Sequence, residues 1–136
     1  MRAVLDPNII ISGLLSPGAS PARALQAWHD GRFELIISPA LLDELGRALT
    51  YPKLRKRIPE QSATAALELL ARGARIEPDV PQPPARSQDP ADDYLLALAE
   101  AARAALVSGD KHLLVLRDQF PIFTAAEFLD WLDLHS

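Results

Sequence analysis

The sequence predicts an α/β fold built on a mostly parallel central sheet with helices on both faces. Short apolar runs of strand length, "AVL" at 3–5 and "FELII" at 33–37, read as buried strands. Each is followed by helix-start signals, and strand and helix patterns alternate along the chain. In such sheets ligands sit outside the carboxyl ends of the strands, where strand order reverses.

The elements follow in order. "AVL" runs into Asp6, a turn-forming Pro7 and Asn8. Ser20-Pro21 and Ser38-Pro39 each put a hydroxyl at an N-cap and proline at the first helical position, where its missing N–H costs nothing. Helices are therefore predicted over 21–30, closed by Gly31, and over 39–50, closed by Tyr51-Pro52. "KLRKR" is a basic helical turn stopped by Pro59, and "SATAALELLARG" an amphipathic helix ending at Gly73. "ARIE" reads as a strand. Between Pro78 and Pro90 prolines recur and apolar residues nearly vanish, as in an extended internal linker. Then come a helix in "DDYLLALAEAARA", a strand in "ALVSG", a short helix in "HLLVLRD" and a strand in "PIFT". Thr124 and Glu127 form a capping box that starts the last helix. Neither side of the linker has core enough alone, so 1–136 is expected to be one domain.

Composition narrows the function classes. With no cysteine the chain has neither disulfides nor thiolate metal ligands, which favours an intracellular, cytoplasmic protein. No stretch approaches the roughly 20 apolar residues of a membrane span, and the short N-terminal run meets Asp6 too early for a leader. A soluble, unprocessed protein is expected. A net charge of -4 argues against sequence-independent binding to duplex DNA, which rests on basic groups displacing counterions. It leaves room for an enzyme that grips nucleic acid through metal ions.

The carboxylates carry the chemistry. Asp6 and Asp110 each end a strand, so both project at one rim. Either alone could be a turn or helix cap; the pair at corresponding ends favours a site. On the helix from Pro39, Leu41, Leu45 and Leu49 define the buried stripe; Glu44 lies at its edge and Asp43 points to solvent. Glu44 could lean over the rim or remain a surface side chain. Counting from Asp92, Leu95, Leu96 and Ala99 share its helical face, so Asp92 turns inward and Asp93 is left to solvent or the helix dipole. Four acids converging on one rim would raise one another's pKa unless a cation were present. Oxygen ligands without His or Cys suit Mg²⁺ or Mn²⁺, and such ions suit phosphate-ester chemistry.

The segments "VLDPNIIISGLL", "SPALLDELGRAL", "DPADDYLLALA" and "LVSGDKHLL", in that order and spacing, resemble the PIN-domain family, close to its VapC-like toxin branch. The likeness continues through "YPKLRKRI" and "PIFTAAEFLDWL". It implies a three-layer fold with a parallel sheet of about five strands in order 3-2-1-4-5, Asp6 and Asp110 lying on neighbouring strands. It also implies an Mg²⁺- or Mn²⁺-dependent endoribonuclease acting on single-stranded RNA. Asp6, Glu44, Asp92 and Asp110 would form its catalytic, metal-holding quartet. A small antitoxin protein reaching toward the acidic rim, and a homodimer, are implied as partners. Two residues depart from the family pattern: Pro7 where Thr or Ser is usual, and His112 where another Asp often stands.

Other residues carry weaker signals. Asn8 could orient Asp6 or close a turn, and "KLRKR" with Arg47 could touch RNA phosphates or form a solvated basic face. His29 and His135 lie near helix ends, and Trp28, Phe128 and Trp131 fall at core spacing. A catalytically silent binding module is the competing class. A haloacid-dehalogenase-like phosphatase is a further enzyme reading, but Asn8 would replace that family's second Asp and Glu44 would have no role.

Overall fold

The computed structural model describes residues 1–135. Five parallel strands form one sheet in the order β3-β2-β1-β4-β5. They are β1 (Arg2–Leu5), β2 (Glu34–Ile37), β3 (Arg75–Ile76), β4 (Ala105–Val107) and β5 (Ile122–Phe123). The three inner strands are unbroken apolar runs because helices cover both faces: Ala3, Val4, Leu5, Leu35, Ile36, Ile37, Leu106 and Val107 are all buried. Strand order reverses between β1 and β4. The crevice at the carboxyl end of that pair is where this sheet can receive a ligand.

The helices are α1 (Pro7–Leu15), α2 (Ser20–His29), α3 (Pro39–Ala48), α4 (Pro52–Arg55), α5 (Glu60–Gly73), α6 (Asp93–Ala102), α7 (Lys111–Leu114) and α8 (Ala125–Leu134). A 3₁₀ turn over Pro90–Asp92 precedes α6. Ser38 caps α3 through a hydroxyl that accepts from the Leu41 amide, and Thr124 with Glu127 makes the reciprocal capping box of α8. Phe128 of α8 meets Phe33 edge to face at 5.0 Å, in the favoured aromatic geometry, and so joins the last helix to the segment entering β2. Among the described residues no helix is long and apolar enough to cross a membrane.

Three local expectations are corrected. Pro7 does not form a turn: it opens α1, with Asp6 as the N-cap, because a proline at the first helical position gives up no hydrogen bond. Ser20 lies inside α2, whose N-cap is Ala19 with no side-chain hydrogen bond. The helix read from "DDYLLALAEAARA" stops at Ala102, where Arg103 takes a left-handed conformation at φ 53° and turns the chain into β4.

The proline-rich segment from Pro78 to Asp89 has no helix or strand of its own, yet it is pinned at both ends and serves as a strap. Asp79 Oδ2 accepts from the Ala40 amide at 2.8 Å, in the first turn of α3. Further on, Arg86 pairs with Glu100 of α6 at 2.8 Å and lies over the Phe120 ring. Gln88 meets the His112 ring at 3.1 Å.

Candidate active site

The pairing of β1 with β4 sets Asp6 and Asp110 side by side. Leu5 is in register with Val107, and the Asp6 amide donates to the Val107 carbonyl at 2.9 Å. Both acids also cap helices. Asp6 Oδ1 accepts from the Asn8 amide at 3.0 Å, and Asp110 Oδ1 from the His112 amide at 2.8 Å. Cap and site are thus the same side chains. Asn8 acts here through its backbone, and its residue is exposed.

Ser108 joins the two acids. Fully buried, its hydroxyl donates to Asp6 Oδ2 at 2.8 Å and accepts from the Asp110 amide at 3.0 Å. The sequence reading missed it; the available signal was a hydroxyl between a buried strand and an acid two residues on. Burial pushes the Asp6 carboxyl above its ordinary range, the bonds from Asn8 and Ser108 oppose this, and the charge of Asp110 adds to it.

Asp92, the last residue of the 3₁₀ turn, completes the group. Its carboxyl is pushed up to about 7, first by burial, then by the charge of Asp110 and a hydrogen bond shared with it, with Asp89 and Asp6 adding. Its Oδ2 is buried without a partner.

Of the two places expected for Asp93, solvent or the helix dipole, solvent is excluded, while the residue does stand in the first turn of α6. It is only 4% exposed, and its Oδ1 accepts from the Arg86 and Ser87 amides at 3.0 and 2.8 Å. The expectation assumed one regular helix from Asp92. The tighter winding of the 3₁₀ turn changes the register, so both acids turn inward, Asp92 to the rim and Asp93 to the strap.

Glu44 is half-buried at the edge of the α3 stripe while Asp43 is exposed, as the stripe requires. Its partner is Tyr94, whose hydroxyl donates to Glu44 Oε1 at 2.9 Å. The Tyr94 phenol is held far above its ordinary value, mainly by burial, then by Glu44, with the charges of Asp6 and Asp79 adding. Tyr94 therefore stays a neutral donor within a ring of carboxylates. It and Asp79 were also missed, since only the fold brings the strap and α6 to α3.

A sequence model of the PIN domain matches residues 2–112. The chain belongs to the PIN-domain family. An uncharacterized protein of Methanocaldococcus jannaschii is 28% identical to this PIN domain protein over 123 residues, 88% of this chain and 77% of its own. Among solved structures, PAE2754 from Pyrobaculum aerophilum superposes with a TM-score of 0.62 at 17% identity, over 98% of this chain and 90% of its own. VapBC2 from Rickettsia felis, bound to a DNA fragment from its promoter, gives 0.59 at 16% identity, over 90% and 97%. FitAcB from Neisseria gonorrhoeae gives 0.56 at 20% identity, over 91% and 98%. At these identities the structures share the fold. PIN membership implies hydrolase chemistry of the nuclease type and takes the place of the phosphatase reading.

PIN domains generally use divalent metal ions. Among the described residues no three His, Cys, Asp or Glu side chains converge closely enough to hold an ion as they stand. One oxygen of each is held by another group: Asp6 Oδ2 by Ser108, Asp110 Oδ1 by the His112 amide, Glu44 Oε1 by Tyr94. The residues nonetheless fit a hard divalent cation. All the donors are oxygen, Asp92 Oδ2 lacks a partner, and the charges of Asp110, Asp89 and Asp6 add to burial in raising the Asp92 carboxyl, charges that a cation would offset.

Proposed function

We propose that this PIN domain is an Mg²⁺- or Mn²⁺-dependent endoribonuclease that cleaves single-stranded RNA and serves as the toxin of a toxin–antitoxin pair. The observation that supports the reading is the placing of Asp6 and Asp110 at the ends of two paired strands with Ser108 between them, and of Asp92 near enough for their charges to add to the effect of burial on its carboxyl. Asp6, Asp92 and Asp110 would hold the cation; Glu44 would hold a second one or take the proton of the attacking water. A bound divalent ion supplies the charge that acidifies water and neutralises the phosphodiester. Ser108 aims Asp6, and Tyr94 occupies one oxygen of Glu44. The exposed Lys53, Lys56 and Arg57 would meet RNA phosphates outside the crevice.

The likeness to VapBC2 and FitAcB supports a small antitoxin partner whose segment lies near the acidic rim, and the family resemblance supports a homodimer. On this reading residues 1–136 act as one domain, since β1 pairs with strands from both sides of the strap.

Purified protein incubated with single-stranded RNA and Mn²⁺ tests the reading, with Asp6→Asn beside it. Cleavage should depend on the ion, and the variant should lose more than the about 10- to 100-fold that removal of an outer partner costs. RNA left intact by the wild-type protein with Mn²⁺ would overturn the nuclease reading in favour of a silent binding module.

A further inference from the structure

We infer that Tyr94 is a positioning residue, whose hydroxyl fixes Glu44 in the orientation that turns this carboxylate toward a divalent cation at the acidic rim. The inference rests on the reading of the rim as a metal-dependent centre. Glu44 and Tyr94 lie 50 residues apart, on α3 and at the start of α6, and meet in one partly buried bond of 2.9 Å. An unrestrained glutamate samples several rotamers and must give up that freedom to ligate an ion. With Oε1 held by the phenol, part of this ordering is already complete, and Oε2 is left to ligate.

The choice of donor matters. An Arg or Lys in the same place would neutralise Glu44 and exclude a cation by repulsion. A phenol orients the carboxylate and leaves its negative charge intact. The main chain under Glu44 is located separately, because Asp79 of the strap holds the Ala40 amide in the first turn of α3. Backbone and side chain of the same residue are thus positioned by two different segments, the strap and α6. Phenylalanine at 94 would fill the same volume, so the hydroxyl can be removed without removing the ring.

The test is a calorimetric titration with Mn²⁺ of the wild-type protein, Tyr94→Phe, Glu44→Gln and the double variant, with urea unfolding of each in the absence of metal. Tyr94→Phe should weaken Mn²⁺ binding about 10- to 100-fold. In the Glu44→Gln background the same change should add about twofold or less, since the group it positions has lost its charge. Unchanged or tighter Mn²⁺ binding by Tyr94→Phe, or an equal loss in both backgrounds, would overturn the inference and leave the bond a purely structural one. Wild-type protein that binds no Mn²⁺ sinks both this inference and the nuclease reading. Wild-type protein that binds Mn²⁺ but leaves RNA intact sinks only the nuclease reading, and the titration series still decides the role of Tyr94.

Discussion

Ser108 shows how much of the site depends on a single uncharged atom. Its hydroxyl bridges Asp6 and the Asp110 amide with no access to water, so Ser108→Ala strands one acceptor and one donor in the interior. Leaving buried groups unpaired costs about 1–3 kcal/mol, which should appear as a lower urea midpoint with an unchanged slope. On the proposed reading the same variant should also bind Mn²⁺ about 10- to 100-fold more weakly, because outer partners orient metal ligands. Pro7 offers Asp6 no hydroxyl, and Ser108 brings one from the residue after β4. Sequence patterning could nominate Asp6 and Asp110, since each follows a buried run. For Ser108 it offered only the hydroxyl two residues before Asp110, and for Tyr94 nothing, since their partners Asp6 and Glu44 lie 102 and 50 residues away.

At the scale of elements, the 3₁₀ turn before α6 divides labour between two adjacent acids. Asp92 faces Asp110, and Asp93 holds the strap by two backbone amides. Asp93→Ala would leave the Arg86 and Ser87 amides without their acceptor, at a cost of about 1–3 kcal/mol. Asp93→Asn keeps an oxygen and should cost less than about 1 kcal/mol. Hydrogen exchange checks the assignment directly: the Arg86 and Ser87 amides should exchange faster in the alanine variant and little faster in the asparagine one. The wheel drawn from sequence assumed one uniform helical pitch and so did not foresee that Asp93 would be the more deeply buried of the two. Asp-Pro at 6–7 carried the same helix-start chemistry as Ser-Pro at 38–39, and its helix was legible in principle.

For the whole molecule, the burial of Asp92 and Asp6 beside other acids has a thermodynamic signature. The Asp92 carboxyl is pushed up from its ordinary 3.8 to about 7 in the folded protein, so between these values the native state holds a proton that the unfolded chain has released. Protonated Asp92 thus favours folding fully at low pH, and this contribution is lost as pH rises toward about 7. Asp6, shifted in the same direction, adds to the trend. Glu127 works the other way: lowered first by the Thr124 amide, it contributes above its unfolded value and loses that as pH falls through its folded value. Metal-free protein should therefore melt at a lower temperature at about pH 7 than at about pH 5, and Asp92→Asn should flatten the difference. Adding Mn²⁺ at pH 7 should raise the melting temperature of the wild-type protein more than that of the variant. A wild-type melting temperature that rises from pH 5 to 7 without metal would contradict the burial of Asp92 and Asp6 beside other acids.

Local chemistry determined the strand-length runs, the caps at Ser38 and Thr124, and the order of strands and helices from which a parallel α/β sheet follows. These are set by neighbours within a few residues, and so they are written in one dimension. The joining of Asp6 to Asp110 through Ser108, the seating of Glu44 by Tyr94, the pinning of the strap by Asp79 and Asp93, and the burial that makes Asp92 hold its proton were decided only by tertiary structure. Each depends on distances between segments far apart in the chain, and on water excluded from between them, which periodicity does not encode.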